Sequence, residues 1–235
     1  MKTVILAGGS GGLGSAVARS AVEHGYKPII GFLKNEERAG ALASELGCPA
    51  IGGDIAEAAV RKNLIAAALG QGELYGLVVL AGDPARVPLE KATADDLLES
   101  MRINFAGPVL MARDFAAALA DSDGSIVLLS TMQAIGVFPG STTYAAPKAA
   151  LVHAAKILAK QWKVRVNVVA PGVNDAGMAQ QSVRSGKYNA FLDKKTIPRF
   201  GRPEDVARSI LFFLEPDNYV TGQVLTVDGG LSLKM

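Results

Sequence analysis

Val4-Ile5-Leu6-Ala7-Gly8-Gly9-Ser10-Gly11-Gly12-Leu13-Gly14 is the stretch on which the fold turns. The apolar run at its head suits a short buried strand and is too brief for a helix. The glycines end that run, and a helical pattern over Leu13–His24 follows. Within the cluster, Gly9-x-Gly11-x-x-Gly14 fits the dinucleotide fingerprint. Glycines there permit a tight turn and let backbone N–H groups approach a pyrophosphate at a helix N-terminus. Gly8-x-Ser10-x-Gly12 also spells a nucleophile elbow, but that turn belongs deeper in a sheet than its first strand. A phosphate-binding P-loop needs Lys after its second glycine, and Ser15 follows Gly14 instead. The plain alternative is a turn that needs glycine for its own geometry.

The strand–helix alternation continues along the chain. Further strands are expected at Pro28–Leu33, Pro49–Gly52, Leu77–Ala81, Ser125–Ser130, Val164–Ala170 and Gln223–Val227. Helices are expected at Glu36–Leu46, Ala58–Leu69, Ala94–Leu119, Thr143–Gln161 and Glu204–Leu214. The strands are apolar throughout rather than alternating, as befits a parallel sheet covered on both faces. This order predicts one α/β domain over 1–235: a doubly wound, Rossmann-like parallel sheet with helices on both faces. The segment 173–202 has no strong pattern and reads as an irregular substrate lid.

Composition excludes several classes. The 235 residues carry a net charge of +2, 49% hydrophobic and 20% charged residues, which suits a compact protein without a field for nucleic acid or anionic membrane. No apolar run approaches the roughly 18 residues of a spanning helix, and the first stops too early for a secretory signal core. A cytoplasmic location is therefore the default expectation. Cys48 is the one cysteine, and His24 and His153 are the two histidines, so no metal site is expected. Cys48 reads as a small core residue, and His153 and Trp162 as packing or contact residues.

Tyr144 and Lys148 stand four apart in Tyr-Ala-Ala-Pro-Lys, on one face of an expected helix. A nearby ammonium favours the phenolate, lowers the tyrosine pKa and makes the phenol a better proton shuttle. Ser130 and Thr131 end an apolar strand, where a hydroxyl can donate to a substrate carbonyl. Taken alone, the pair reads rather as a surface Tyr and a solvated Lys, since Tyr-x-x-x-Lys is common by chance; the glycine cradle upstream reverses that balance.

The chain as a whole resembles the short-chain dehydrogenase/reductase family, in that family's motif order. Ala7-Gly8-x-x-x-Gly12-x-Gly14 is similar to its Thr-Gly-x-x-x-Gly-x-Gly, Ala81-Gly82 to the end of its Asn-Asn-Ala-Gly, and Pro171-Gly172 to its turn beside the nicotinamide. Gly53-Asp54-Ile55 matches the place where an Asp meets adenine, Asn104 the asparagine that holds a relay water, and Tyr144 with Lys148 the active-site pair. Thr221-Gly222 and Val227-Asp228-Gly229-Gly230 match the C-terminal signature. Arg199-Phe200-Gly201-Arg202-Pro203-Glu204-Asp205 leans toward the 3-oxoacyl-carrier-protein-reductase-like branch.

The resemblance implies hydride exchange between a nicotinamide and a carbonyl or alcohol. It implies catalytic roles for Asn104, Thr131, Tyr144 and Lys148. It places the cofactor on Gly8, Ser10, Gly12, Leu13, Gly14, Lys34, Asp54, Ile55, Ala81, Gly82, Tyr144, Lys148, Pro171, Gly172 and Val173. Counting back thirteen positions from Tyr144, where the family keeps a serine, lands on Thr131, with Ser130 as the neighbouring alternative. The family's NAD-binding acid would fall at Phe32 or Leu33, and neither is acidic; Lys34 suits a 2′-phosphate, so NADP(H) is favoured over NAD(H). Gly11, where relatives often carry an arginine, argues the other way.

Ala7, Val79-Leu80 and Ala176 depart from the family's Thr, Asn-Asn and Thr. They raise a rival reading, a catalytically weak nucleotide-sensing protein of the same fold. Ile135–Pro139 and Met178 are expected to line the pocket, with core packing as the alternative for Val137 and Phe138. The lid's Arg184, Lys187, Lys194, Lys195 and Arg199 suit an anionic acyl carrier or simply a solvated surface, while the acidic Asp121-Ser122-Asp123 argues against carrier docking. The implied partner is a small carbonyl or alcohol substrate. A homotetramer is also implied, with Phe115, Ala116, Leu119, Leu151, Ala155 and Leu158 facing another subunit and a second contact near Val227–Met235.

Overall fold

A computed structural model describes residues 1–119 and 123–234. Seven parallel strands form one sheet: β1 (Lys2–Ala7), β2 (Lys27–Phe32), β3 (Ala50–Gly52), β4 (Glu73–Val79), β5 (Ser125–Leu129), β6 (Arg165–Pro171) and β7 (Val224–Val227). Their order is β3-β2-β1-β4-β5-β6-β7, so the chain reverses direction across the sheet between β1 and β4. That reversal opens a crevice at the strands' C-terminal edge. All seven strands are the ones the sequence predicts, displaced by a few residues at their ends. β4 shows the largest shift, because Leu80 and Ala81 turn inward to donate to the Ala7 carbonyl.

Both faces of the sheet are covered. Val4 and Leu6 of β1 lie in one core with α1 (Gly12–Glu23), α2 (Glu36–Leu46) and part of α9 (Pro203–Leu214); Ile5 and Ala7 lie in a second core. That second core is built with α3 (Ala58–Gln71), α5 (Gly107–Ala118) and α6 (Thr142–Gln161). Successive side chains of a strand point to opposite faces, so a strand buried on both has no polar positions to spare.

Helix ends follow their sequence signals. Asn35 Oδ1 accepts the Arg38 N–H at 2.9 Å and starts α2, and Gly47 ends it in the left-handed region with φ 61°. Thr93 and Asp96 form a reciprocal capping box at α4 (Ala94–Met101).

Three expectations need correction. Ala94–Leu119 is not one regular helix: the path widens into a π-helical stretch over Arg102–Ala106 between α4 and α5. Such a bulge is frequent at functional sites, and Asn104 sits inside it. The segment 173–202 is not irregular either. It contains α7 (Gln180–Arg184) and α8 (Asn189–Asp193) and closes a third core of Met132, Val173, Ile197 and Leu231, with Phe138 and Phe191 against it. Finally, Phe115, Leu119, Leu151 and Ala155 are buried in the chain's own second core, with Ala116 and Leu158 packed on it. A sheet face curved around two helices uses a wider apolar arc than one stripe. The apolar side chains that these helices expose are instead Leu97, Leu98, Met101 and Ile157.

Cys48 is half-buried against the first core, and burial pushes its thiol up. Trp162 packs on the second core, while His153 is exposed. Asp121 and Ser122 lie outside the described residues, as does Met235; Asp123 pairs with Arg165 at 3.5 Å. Among the described residues no helix is long and apolar enough to cross a membrane, and no cluster of His, Cys, Asp and Glu could hold a metal.

Asp205 holds the junction between the segment 173–202 and α9. Its carboxylate accepts from Arg199, Arg208 and the Arg202 N–H. The Arg199 bond, acting against partial burial, holds the carboxyl down at about 2 from an ordinary 3.8. A depressed carboxylate stabilises the fold above its unfolded pKa and loses that contribution as pH falls through the folded one. Asp205→Asn should therefore cost about 1–2 kcal/mol at neutral pH, discounted for the exposed arginine partners, in urea unfolding. The difference from the parent protein should shrink toward zero as pH approaches 2.

Candidate active site

Because every strand is parallel, the residues that leave the strands' C-terminal ends share one edge. They are Gly8 after β1, Lys34 after β2, Asp54 after β3, Ala81-Gly82 after β4, Ser130-Thr131 after β5 and Gly172 after β6. A cavity of about 550 Å³ opens on this edge, lined by Leu13, Ser130, Thr131, Tyr144, Pro171, Gly172 and Val173, among others.

The glycine loop is built for close backbone approach. Gly8 has φ +87°, and a side chain there would meet Ala81 N at 2.8 Å. At Gly14 a side chain would run into the Gly8 carbonyl, so α1 can begin only with glycine at that turn. No side chain caps α1, whose N-cap is Gly11. Its first N–H groups are thus donors for an anion at a helix N-terminus. Ser10 is buried within the loop. The lid's Gly177 packs against Gly12 so tightly that no side chain fits at Gly12.

Lys148 is 2% exposed, and its ammonium donates to the Leu129 carbonyl at 2.9 Å. Burial pushes it down to about 8. Gly82 is glycine because of this neighbour: a side chain there would sit 3.0 Å from Asn104 Oδ1 and 3.2 Å from Lys148 Nζ. Asn104 is fully buried; its Oδ1 accepts from Asp83 N–H at 3.1 Å, and its Nδ2 donates to the Asp83 carbonyl and Ser100 Oγ.

A proline links this asparagine to the tyrosine helix. Pro147, inside α6, has no N–H to give to the Thr143 carbonyl one turn back. Ser100 Oγ donates to that carbonyl instead, at 2.6 Å. Thr143 Oγ1 in turn donates to the Ala85 and Val87 carbonyls. The loop after β4, the π-helical stretch and α6 are therefore locked in one hydrogen-bonded frame around Tyr144.

Tyr144 departs from expectation. Its phenol is pushed up to about 12, first by burial and then by the Asp83 carboxylate. Lys148 does not lower it, because the ammonium is directed to Leu129 rather than to the phenol. The two hydroxyls after β5 also differ. Ser130 Oγ donates to the Lys148 carbonyl at 3.1 Å, whereas Thr131 Oγ1 accepts from the Gln133 N–H at 3.3 Å and keeps its own proton available.

On the far side of the edge, Lys34 is exposed just beyond β2. Arg38, on the first turn of α2, reaches Ser15 Oγ of α1 at 3.4 Å. Arg38 was not among the sequence candidates, since a helix cation ordinarily reads as solvated. Asp54 is held twice: Oδ1 by the Ala56 N–H at 2.8 Å and Oδ2 by Arg102 at 2.6 Å. Burial works against its charge, but those bonds win and keep the carboxyl below its ordinary value. Ile55 packs beside it on the second core.

The pocket wall differs from the expected one. Met178 lines it, but Ile135–Pro139 do not: Val137 is 90% exposed and Phe138 joins the third core. The tight turn at Met132–Ala134 puts Met132 and Gln133 on the cavity instead. Asp83, Arg86 and Gln133 carried no sequence signal beyond a polar loop.

Comparison with known proteins agrees with this geometry. A family model described as enoyl-(acyl carrier protein) reductase matches residues 7–232. The chain belongs to the short-chain dehydrogenase/reductase family. It is 36% identical to a 3-oxoacyl-[acyl-carrier-protein] reductase of Bos taurus, over 100% of this chain and 99% of that protein. A 2-(S)-hydroxypropyl-CoM dehydrogenase 3 of Xanthobacter autotrophicus is 31% identical over 98% and 96% of the two chains. A short-chain type dehydrogenase/reductase from Mycobacterium ulcerans superposes with a TM-score of 0.91 at 25% identity, over 99% of this chain and 90% of that one. An actinorhodin polyketide ketoreductase variant with NADPH superposes at 0.87 and 25% identity, over 98% and 97%. The chain is accordingly an oxidoreductase of a family that uses nicotinamide cofactors.

The buried lysine carries a pH signature of its own. Between the folded pKa of about 8 and the ordinary 10.5, the unfolded chain binds more protons than the folded one, so stability rises with pH across that window. Lys148→Met removes the penalty of a buried charge. It should raise the Tm of the cofactor-free protein at neutral pH, and the gain should dwindle as pH climbs from 8 toward 10.5. A gain independent of pH would contradict the buried-charge account.

Proposed function

We propose that this chain is an NADP(H)-dependent ketone reductase of the 3-oxoacyl-reductase type. The observation that carries the reading is the hydrogen-bonded frame that brings Tyr144 and Thr131 to one cavity, with Lys148 one turn along α6. When bound, the cofactor supplies the hydride that reaches the carbonyl carbon.

The chain's own residues do the rest. The α1 N-terminus and Gly8–Gly14, with Ser10 and Leu13, would hold the pyrophosphate. Asp54 and Ile55 would take the adenine, and Ala81, Gly82, Pro171, Gly172 and Val173 the nicotinamide and its ribose. Thr131 donates a hydrogen bond from its free hydroxyl to the substrate carbonyl oxygen and orients it. Tyr144 gives its phenolic proton to that oxygen as negative charge develops there. Lys148 would bind the nicotinamide ribose, and Asn104 positions the loop at Asp83.

Lys34 and Arg38, just after β2 and on the first turn of α2, offer two cations to a 2′-phosphate, and neither Phe32 nor Leu33 at the end of β2 is acidic, which supports NADP(H) over NAD(H). A homotetramer also belongs to this reading, with Leu97, Leu98, Met101 and Ile157 on one contact and Leu225 and Leu233 near the C-terminus on another. These large apolar side chains are exposed in the single chain.

Turnover of NADPH with ethyl 3-oxobutanoate tests the proton donor. Tyr144→Phe should lower kcat by ~10²–10⁴ while NADPH binding is kept. Thr131→Ala should lose more activity than Ser130→Ala. Near-parental turnover by Tyr144→Phe would overturn the assignment.

Cofactor choice is read by fluorescence titration. Lys34→Ala and Arg38→Ala should each weaken NADPH by about tenfold and leave NADH nearly unchanged, since only NADPH carries the phosphate. Equal losses for both nucleotides would remove these residues from phosphate recognition.

A further inference from the structure

The reductase reading leaves the charges of the cavity unexplained. Of the residues lining it, only Arg86 and Lys187 are charged, and no aspartate or glutamate is among them. They come from different segments: Arg86 from the loop after β4, Lys187 from the turn between α7 and α8. Neither takes part in the ion pairs found among the described residues. Elsewhere on the protein arginines are paired readily: Arg19, Arg61, Arg102, Arg113, Arg165, Arg199 and Arg208 each meet a carboxylate. What sets Arg86 and Lys187 apart is that both line one cavity whose lining holds no carboxylate.

Arg86 is also held in place. Its Nη2 donates to the Met178 carbonyl of the lid at 2.9 Å, which spends one of five guanidinium N–H groups and leaves the others available. Its loop is fixed from behind, since the Ala85 and Val87 carbonyls on either side accept from Thr143 Oγ1. Lys187 adds a mobile point charge beside Tyr188, whose ring lies 5.6 Å from its ammonium. A planar fork and an ammonium facing one space form a receptor for anionic oxygens.

We propose that Arg86 and Lys187 form an anion-recognition pair, so that the preferred substrate carries a carboxylate or phosphate beyond its reacting ketone. This rests on the reductase reading for the ketone, but the pair itself is a binding site that needs no turnover. Carboxylate and phosphate share the chemistry that the two cations recognise. A small oxo acid presents the first, and a phosphopantetheine arm the second.

Two matched substrate pairs distinguish them: 3-oxobutanoate against its methyl ester, and 3-oxobutanoyl thioesters of 4′-phosphopantetheine against those of pantetheine. The anionic member of one pair or both should be favoured about tenfold in kcat/KM, chiefly through KM. Arg86→Gln should abolish most of that preference while the neutral members react as in the parent. Lys187→Gln should reduce it, and raising salt from ~0.05 to ~0.5 M should weaken it. Calorimetric titration of hexanoate against hexanamide reads the same site without chemistry. If no carbonyl is reduced but hexanoate still binds through Arg86, the reductase reading fails and the anion site stands. If neutral members are used equally well in both pairs, or the preference survives in the Arg86→Gln, Lys187→Gln double variant, the anion site is wrong.

Discussion

The structure depends on one constraint: a parallel sheet must be covered on both faces. Val4 and Leu6 enter one core while Ile5 and Ala7 enter another, so neither face of β1 can be left in water. Each strand must then be followed by a crossover helix, and each crossover returns the next strand in the same direction. The consequence for function is geometric. All the strand-to-helix turns collect at one edge, and residues far apart in sequence, such as Gly8, Thr131 and Gly172, leave the sheet side by side.

Within that edge, missing and redirected hydrogen bonds do much of the positioning. Pro147 denies α6 one internal bond, and Ser100 from α4 fills the gap. Because Ser100 also accepts from Asn104, the defect in one helix becomes a tie between two. The π-helical stretch turns Asn104 toward Asp83, and Thr143 fastens the following loop. Tyr144 and Lys148 stand on a helix that is held on three sides, which is what a proton donor needs to keep its distance from a substrate oxygen.

Electrostatics then separates the two titrating groups. Burial works in opposite directions on them: it raises the acid Tyr144 to about 12 and lowers the base Lys148 to about 8. Asp83 adds to the first effect. In both cases burial favours the neutral form, so the phenol keeps its proton and the lysine gives its own up more readily than in water.

Much of this was legible in the sequence, because it depends on local chemistry. Apolar runs without polar positions pointed to a two-sided parallel sheet, and the glycine cluster at Gly8–Gly14 to a strand-to-helix turn. Gly8 and Gly14 answer to backbone approach, which only glycine permits. The remainder depends on contacts between distant segments. Sequence spacing placed Lys148 beside Tyr144 but could not show that its ammonium turns to Leu129, so the sign of the tyrosine shift was reversed. Helical periodicity marked Phe115 and Leu151 as apolar, yet only the packed sheet decided that they face inward. Arg38 and Arg86 carried no signal in the sequence, and Lys187 read as one of several basic residues of its segment, until the fold gave them their neighbours. Burial, and with it the cost of leaving a charge unpaired, is a property of the assembled molecule and not of any one segment.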